Sequence, residues 1–403
     1  MATSVFFFLK SLPVQLVVSI LFAFYLGAVV DIFYVQLFFT ISSLFVEVLL
    51  FILPVMVFSF IFRALVGIDK KSTWLIGLVL GSVTVSNILA VLVSYGYAKE
   101  VLSALGVSHC AGFSDKFTSH ITTLFSFNLP HFIGTDKAMV VGIIGGLAVS
   151  FLPSHLVFRK FVKEKAIFVS DGITFLLQRA FIPMLPIYVF GFCLKLSYDQ
   201  ALVHLLMHYG HVFIASLILT IVYILTLYWV GAGFSFTQAA VFLRTMLPAG
   251  LTGFSTMSSA ATMPVTLTCT ENNTKDRNFT DLVIPSTTNI HMLGDDLTIT
   301  VTAVALLTIC GQSVPELSAF IGYALAFSLA KLSCVGIPGA SVLVILPVLQ
   351  QFLGFNPEMI SMLTTIYILQ DSFGTAANVM GNGAFALILQ RIFRKIQKRV
   401  ASK

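Results

Sequence analysis

Asp371, Thr375, Asn378 and Asn382 follow one another at spacings of four, three and four residues, which on an α-helix lines them along a single face. A carboxylate, a hydroxyl and two amides so arranged can receive an ammonium, a carboxylate or a desolvated cation. The flanking sequence, SMLTTIYIL before and AFALIL after, makes the segment long and apolar enough to cross a bilayer. The polar face therefore looks into protein or water, and a carboxylate at that depth marks a ligand, an ion or a proton. A stripe that only glued helices together would have no need of the charge.

Two further stretches set polar groups in apolar surroundings. The run GLTGFSTMSSAATMP at 250–264 is a small-residue, hydroxyl-rich turn between two apolar arms. Each arm is too short to span a membrane alone, so the pair reads as a re-entrant hairpin with a serine-rich tip. A second hairpin covers 317–353, broken by KLSCVGIPGAS. Between them a span at 282–309 carries TTNIHMLGDD, and Gly294 among so many polar groups predicts a helix interrupted there. The last part of the chain thus reads hairpin, broken span, hairpin, polar span. Inverted repeats with discontinuous helices are the signature of an alternating-access transporter, because half-helix N-termini offer N–H groups to an anion and unwound carbonyls offer oxygen to a cation.

The whole chain is built to hold such elements in lipid. Its 403 residues are 58% hydrophobic and 10% charged, with a mean hydropathy of +0.98, which leaves too little polar surface for a water-soluble globule. Five scattered cysteines without a C-x-x-C pair indicate neither a disulfide framework nor a zinc site. The net charge of +6 sits in short loops and a basic tail, so it reports topology and not nucleic-acid binding. Further spans are expected at 12–34, 44–61, 74–95, 139–152, 173–196 and 212–230, the run after Lys10 being a retained first span. The 74–95 span holds Ser82, Thr84, Ser86 and Asn87, which on their own read as helix packing. Loops are expected at 63–71, at 98–137 on the outside, at 159–165, and around His204, His208 and His211. The fold class is an all-α polytopic membrane protein with eight transmembrane helices and two re-entrant hairpins. Lys and Arg gather in alternate loops and in the tail RIFRKIQKRVASK, which puts both termini in the cytoplasm, with a bacterial inner membrane as the expected location.

The run AGLTGFSTMSSAATMPVTLTCTENN resembles the serine-rich first hairpin of the dicarboxylate/amino acid:cation symporters, the glutamate-transporter family. GIPGAS is similar to that family's second hairpin tip and DSFGTAANVMGN to its last span. The likeness is strong over roughly 249–389 and fainter around LLFILPVMVF. It implies an elevator-type homotrimer without an organic cofactor. Residues 1–72 and 97–200 would supply the scaffold spans and an external loop, 73–96 and 201–390 the transport domain, and 391–403 a basic cytoplasmic tail. The partners implied are an amino-acid substrate, a coupling cation and the bilayer. Carried over position by position, Asp371 would accept the substrate ammonium. Asn378 with the tip at Ser258, Ser259 and Thr262 would take the α-carboxylate, Thr375 and Gly374 would lie by the substrate side chain, and Gly336, Ile337 and Gly339 would close the second tip. Ser86, Asn87, Asn289, His291, Asp295, Lys331, Asn378 and Asn382 would form the ion-coupling set, with sodium as the metal.

The departures from the family pattern carry as much information. Members that take acidic substrates place an Arg where this chain has Gly374; without it a second substrate carboxylate would be buried unpaired, at a cost of several kcal/mol. A neutral amino acid is therefore expected, with glutamate, aspartate or a dicarboxylate as the alternative. The family's N-M-D-G-T motif reads His291, Met292, Leu293, Gly294, Asp295, and its last-span aspartate is Asn382. These exchanges weaken sodium sites and add titratable groups, so proton coupling through a His291 and Asp295 pair competes with sodium. Lys331 either serves as a tethered cation or snorkels to the external interface. An intramembrane serine hydrolase could assemble Ser258, His291 and Asp371, but no G-x-S-x-G elbow is present. A channel needs no amino-acid-shaped constellation.

Overall fold

The computed structural model describes residues 12–66, 73–105, 121–125, 129, 133–153, 156–199, 201–332, 334 and 339–401. Among them every regular element is helical. Helix α1 (Leu12–Gly27) ends seven residues before the expected span does, because Asp31 turns the chain by accepting the Phe33 N–H at 2.8 Å. Helix α2 (Ile32–Val66) then absorbs the second span and carries Pro54 within it. Helix α3 (Thr73–Ala104) runs past the start of the expected outer loop, of which 106–120 lie outside the described residues.

Helices α4 (Thr135–Phe151), α5 (Val157–Leu176) and α6 (Ile182–Tyr198) follow, the last two joined by a π-turn at Leu177–Phe181. The basic stretch at 159–165, expected as a loop, is part of α5, with Arg159 buried and Lys160 and Lys165 exposed. Glycines let this group close up. A Cβ at Gly27 would stand 2.3 Å from Ser197 Oγ, and one at Gly191 would stand 2.3 Å from the Phe38 carbonyl oxygen. Ser42 uses the second approach to donate to the Tyr188 carbonyl at 2.8 Å. Helices α1 and α2 thus pack on α6, while α2 also covers α4 and α5.

Helix α7 (Ala201–Gly231) includes the three histidines that were expected in a loop; His211 is exposed, and the side chains of His204 and His208 lie outside the described residues. The chain then folds as the polar insertions demand. Helices α8 (Phe236–Thr256) and α9 (Ser259–Thr274) form the first hairpin. Met257, at φ 52°, closes α8 through its N–H to the Gly253 carbonyl, and the Ser258 hydroxyl caps α9 by accepting from the Ala261 N–H at 3.2 Å. Asp276 caps α10 (Arg277–Thr287), which stops before α11 (Leu293–Ile309), so the seventh span is broken as predicted. Helices α12 (Leu317–Lys331) and α13 (Ala340–Leu353) form the second hairpin. Helix α14 (Pro357–Ala401) carries the polar stripe without interruption over 45 residues and takes in most of the expected tail. The two hairpins and the broken span surround α14, and α3 and α7 close the group from outside. Of these, α3 from Gly77 and α7 from Tyr209 are by themselves long and apolar enough to cross a bilayer.

Candidate functional site

The break between α10 and α11 is the structural centre of the polar groups. Helix α11 begins at Leu293 and its own N-cap, Met292, offers no side-chain acceptor. The cap comes from α14: Asn378 Oδ1 accepts the N–H groups of Gly294 at 2.8 Å and Asp295 at 3.3 Å, while its Nδ2 donates to Asp295 Oδ1 at 3.0 Å. Two first-turn N–H groups that lack intrahelical partners are thereby satisfied from a neighbouring helix. This approach needs glycine on both sides. A Cβ at Gly294 would lie 2.2 Å from the Gly374 carbonyl oxygen, and one at Gly374 would lie 3.1 Å from Asp295 Oδ1.

Asp295 and Asp296 occupy the first turn of α11, where the helix dipole favours negative charge. Lys331, the last residue of α12, points at both, with Nζ 3.3 Å from Asp295 Oδ2 and 3.4 Å from Asp296 Oδ1. It also donates to the Ser341 hydroxyl on the first turn of α13. The side chain is completely buried, which rules out the snorkelling reading: the ammonium turns inward because two carboxylates wait there. Asp371 lies on the neighbouring face of α14. Its Oδ2 accepts the Gly339 N–H at 3.0 Å, and its Oδ1 accepts from the Thr375 hydroxyl at 3.2 Å and the Tyr367 hydroxyl at 3.4 Å. Gly339, at φ 74°, is the N-cap of α13, so this carboxylate is bonded to the second hairpin.

A second cluster forms one step along α14. His291 Nδ1 lies 2.9 Å from Asn382 Oδ1 and Nε2 lies 3.0 Å from Ser86 Oγ. The tautomer that satisfies both carries its proton on Nδ1 and accepts from the serine. Phe385 covers the ring at 4.2 Å between centroids. Asn87 donates to the Ile290 carbonyl at 2.9 Å, and Asn289 lies half-buried in the same break.

The structure therefore brings Ser86, Asn87, His291 and Asn382 together, and separately Asp295, Lys331 and Asn378. His291 and Asp295, read in the sequence as one pair, have different partners, because the non-helical backbone at Met292 (φ −113°, ψ 68°) turns them apart. Ser258 caps the first hairpin, Ser259 is buried beside it, and the Thr262 hydroxyl donates to the Ser258 carbonyl at 2.8 Å. That hairpin packs on α14, with Gly253 against Thr375 and Val379. Gly336 and Ile337 lie outside the described residues. Sequence reasoning missed Asp296, Ser341 and Tyr367. For Asp296 the signal was there: two successive acids inside an apolar span, where even one is exceptional.

Among groups of three or more His, Cys, Asp and Glu, none of the described residues is arranged to hold a metal ion. The polar atoms gathered at the break are instead carboxylate, amide and hydroxyl oxygens with one ammonium among them.

The profile of the family described as the sodium:dicarboxylate symporter family matches residues 12–392. Excitatory amino acid transporter 5 of Mus musculus is 31% identical over 156 residues, which is 38% of this chain and 28% of that protein. An excitatory amino acid transporter of Caenorhabditis elegans is 31% identical over 150 residues, 37% of this chain and 29% of that protein. Excitatory amino acid transporter 1 of Mus musculus is 26% identical over 224 residues, 55% of this chain and 38% of that protein. These matches span well under half the length of the relatives concerned.

Proposed function

Because this chain belongs to the sodium:dicarboxylate symporter family, integral membrane transporters and not enzymes, we propose that it is a secondary active symporter. Its cargo is an amino acid with an uncharged side chain, and the coupling ion is sodium or a proton. The observation that carries the substrate reading is the charge count around the helix break. Asp295, Asp296 and Asp371 are all buried, and the buried ammonium of Lys331 pairs with the first two and not with Asp371. Among the described side chains the only buried arginine is Arg159, on α5. A site with this excess of negative charge favours an ammonium or a metal cation and offers no guanidinium to a second substrate carboxylate.

In this reading Asp371 exchanges its bond to Gly339 for the substrate ammonium, and Thr375 lies by the substrate's side chain. The first hairpin tip, with Ser258, Ser259 and Thr262, receives the α-carboxylate. Asn378, engaged in capping α11, acts on the substrate through the position of that helix. The cation passes by the oxygens of Ser86, Asn87, Asn289, Asn382 and the break between α10 and α11. Helices α1, α2 and α4 to α6 form a scaffold against which the hairpins, α3, α7, α11 and α14 move as a body. Three copies assemble in a bacterial inner membrane with both termini in the cytoplasm, the side that the basic stretches favour.

The rival substrate is glutamate, aspartate or a dicarboxylate, which the family's description as sodium:dicarboxylate symporters supports. Counterflow in proteoliposomes separates the two: trans-loaded neutral amino acids should drive uptake of a labelled neutral one, and glutamate should not. Strong preference for glutamate would overturn the neutral reading, and absence of any exchange would replace a carrier by a channel. Imposing sodium and pH gradients separately on the same vesicles identifies the coupling ion.

A further inference from the structure

Three elements converge on Lys331. It ends α12, Ser341 starts α13 and the two aspartates start α11, so one ammonium bridges the second hairpin to the broken span. Among the described residues its oxygen neighbours are a carboxylate oxygen of Asp295 at 3.3 Å, one of Asp296 at 3.4 Å and the Ser341 hydroxyl. Oxygen ligands from carboxylates and a hydroxyl at a helix break are the donor set of a hard monovalent cation. Asp296 supplies the second, independent observation. Its side chain is fully buried, and among the described residues neither oxygen has a hydrogen-bond partner. A buried carboxylate whose ion-pair partner is an ammonium, with no hydrogen bond to it among the described residues, is placed to ligate charge and not to hold structure. Asp295, by contrast, is fixed by Asn378.

We propose that Asp295, Asp296 and Ser341 form a monovalent-cation site whose occupant is the chain's own Lys331 ammonium, so that one cation of the transport cycle is built into the protein. This rests on the symporter reading for its place in a cycle, but not for the site itself. The tethered charge needs no gradient and cannot leave. It holds the second hairpin against α11 in every state in which the three elements meet. One fewer ion would then have to be drawn from solution per substrate.

The test reads cation binding directly and does not depend on transport. The purified 403-residue chain is unfolded thermally in sodium, lithium, potassium or choline chloride at constant ionic strength. Ligand that binds only the folded form raises the unfolding temperature in a saturable way. Lys331→Gln leaves two carboxylates without their ammonium and should gain a saturable rise with sodium or lithium over choline, beyond any that the wild type shows. The double variant Lys331→Gln, Asp296→Asn should lose that gain. A single variant no more responsive than wild type overturns the proposal, as does a gain that survives in the double variant. If Lys331→Gln yields folded protein only when extracted in sodium, that is the same positive result. If it fails in every salt, Lys331→Arg decides, because its charge is retained. It should respond to the added salt no more than the wild type does, and a sodium response beyond the wild type's overturns the proposal. Intact counterflow with no such response would sink this inference alone, whereas a clear response without any exchange would sink the symporter reading alone.

Discussion

Asp371 illustrates how one side chain can serve both structure and substrate. Its carboxylate holds the Gly339 N–H and two hydroxyls, and an amide in its place could still accept the Gly339 N–H through its own oxygen. Asp371→Asn should therefore fold, with a small change in unfolding temperature, while losing the charge that an incoming ammonium requires. The cost to substrate binding is expected at about 2 to 5 kcal/mol, read as loss of uptake in vesicles that still contain the full amount of protein. Uptake at wild-type affinity would remove Asp371 from the site. Gly374 has little free space beside it. A Cβ there already presses on Asp295 Oδ1, so an added guanidinium would meet that carboxylate before it met any substrate. Gly374→Arg is accordingly expected to compete with Lys331 for Asp295 and to depress uptake of neutral amino acids without creating glutamate transport. Measured uptake of both substrate classes checks this, and efficient glutamate uptake by the variant would contradict it.

Helix ends, more than helix bodies, set the positions of these groups. Lys275 ends α9 in the left-handed region at φ 55°, exposed, with its N–H on the Glu271 carbonyl at 2.8 Å. Glycine takes that conformation without the Cβ penalty, so Lys275→Gly should stabilise the first hairpin by about 1 kcal/mol, visible as a higher unfolding temperature with uptake unchanged. A lower temperature would mean that the lysine side chain contributes more than its backbone strain costs. At this scale much was legible in the sequence. The hairpin arms, the break near Gly294 and the helical stripe are found where polar and small residues interrupt apolar runs, because backbone polar groups in lipid leave few other solutions. The entry of α2 at Ile32 and the helical course of the basic stretch in α5 were not legible, since apolar pattern in a membrane protein marks depth and not helix ends. Nor were the partners of His291, Asp295 and Asn378. Spacing along one helix says which face a residue shares, and the capping of α11 by Asn378 depends on two glycines meeting across different helices.

The proposed movement of one group of helices against another can be tested where the two groups meet. Helix α6 belongs to the group built with α1 and α2, yet its Tyr188 hydroxyl donates to the Ser361 carbonyl of α14 at 3.3 Å, and its Leu185 touches the space beside Gly339 at the second hairpin. No ion pair joins α6 to α14 among the described residues, so no charged link would have to break for this seam to move. If substrate crosses the membrane by movement of the hairpins and α14 against α6, fixing that seam must stop it. Cysteines at positions 188 and 361, in a background with the five native cysteines replaced, can be bridged by mercuric ion or a short thiol-reactive cross-linker. Bridging should abolish uptake, a thiol reductant should restore it after mercury treatment, and either single cysteine should be unaffected. The mechanism to be distinguished is local gating by the second hairpin alone, in which α6 and α14 keep their register throughout. Full uptake with the bridge in place would require that local mechanism, because no rigid-body displacement of α14 along α6 could then occur.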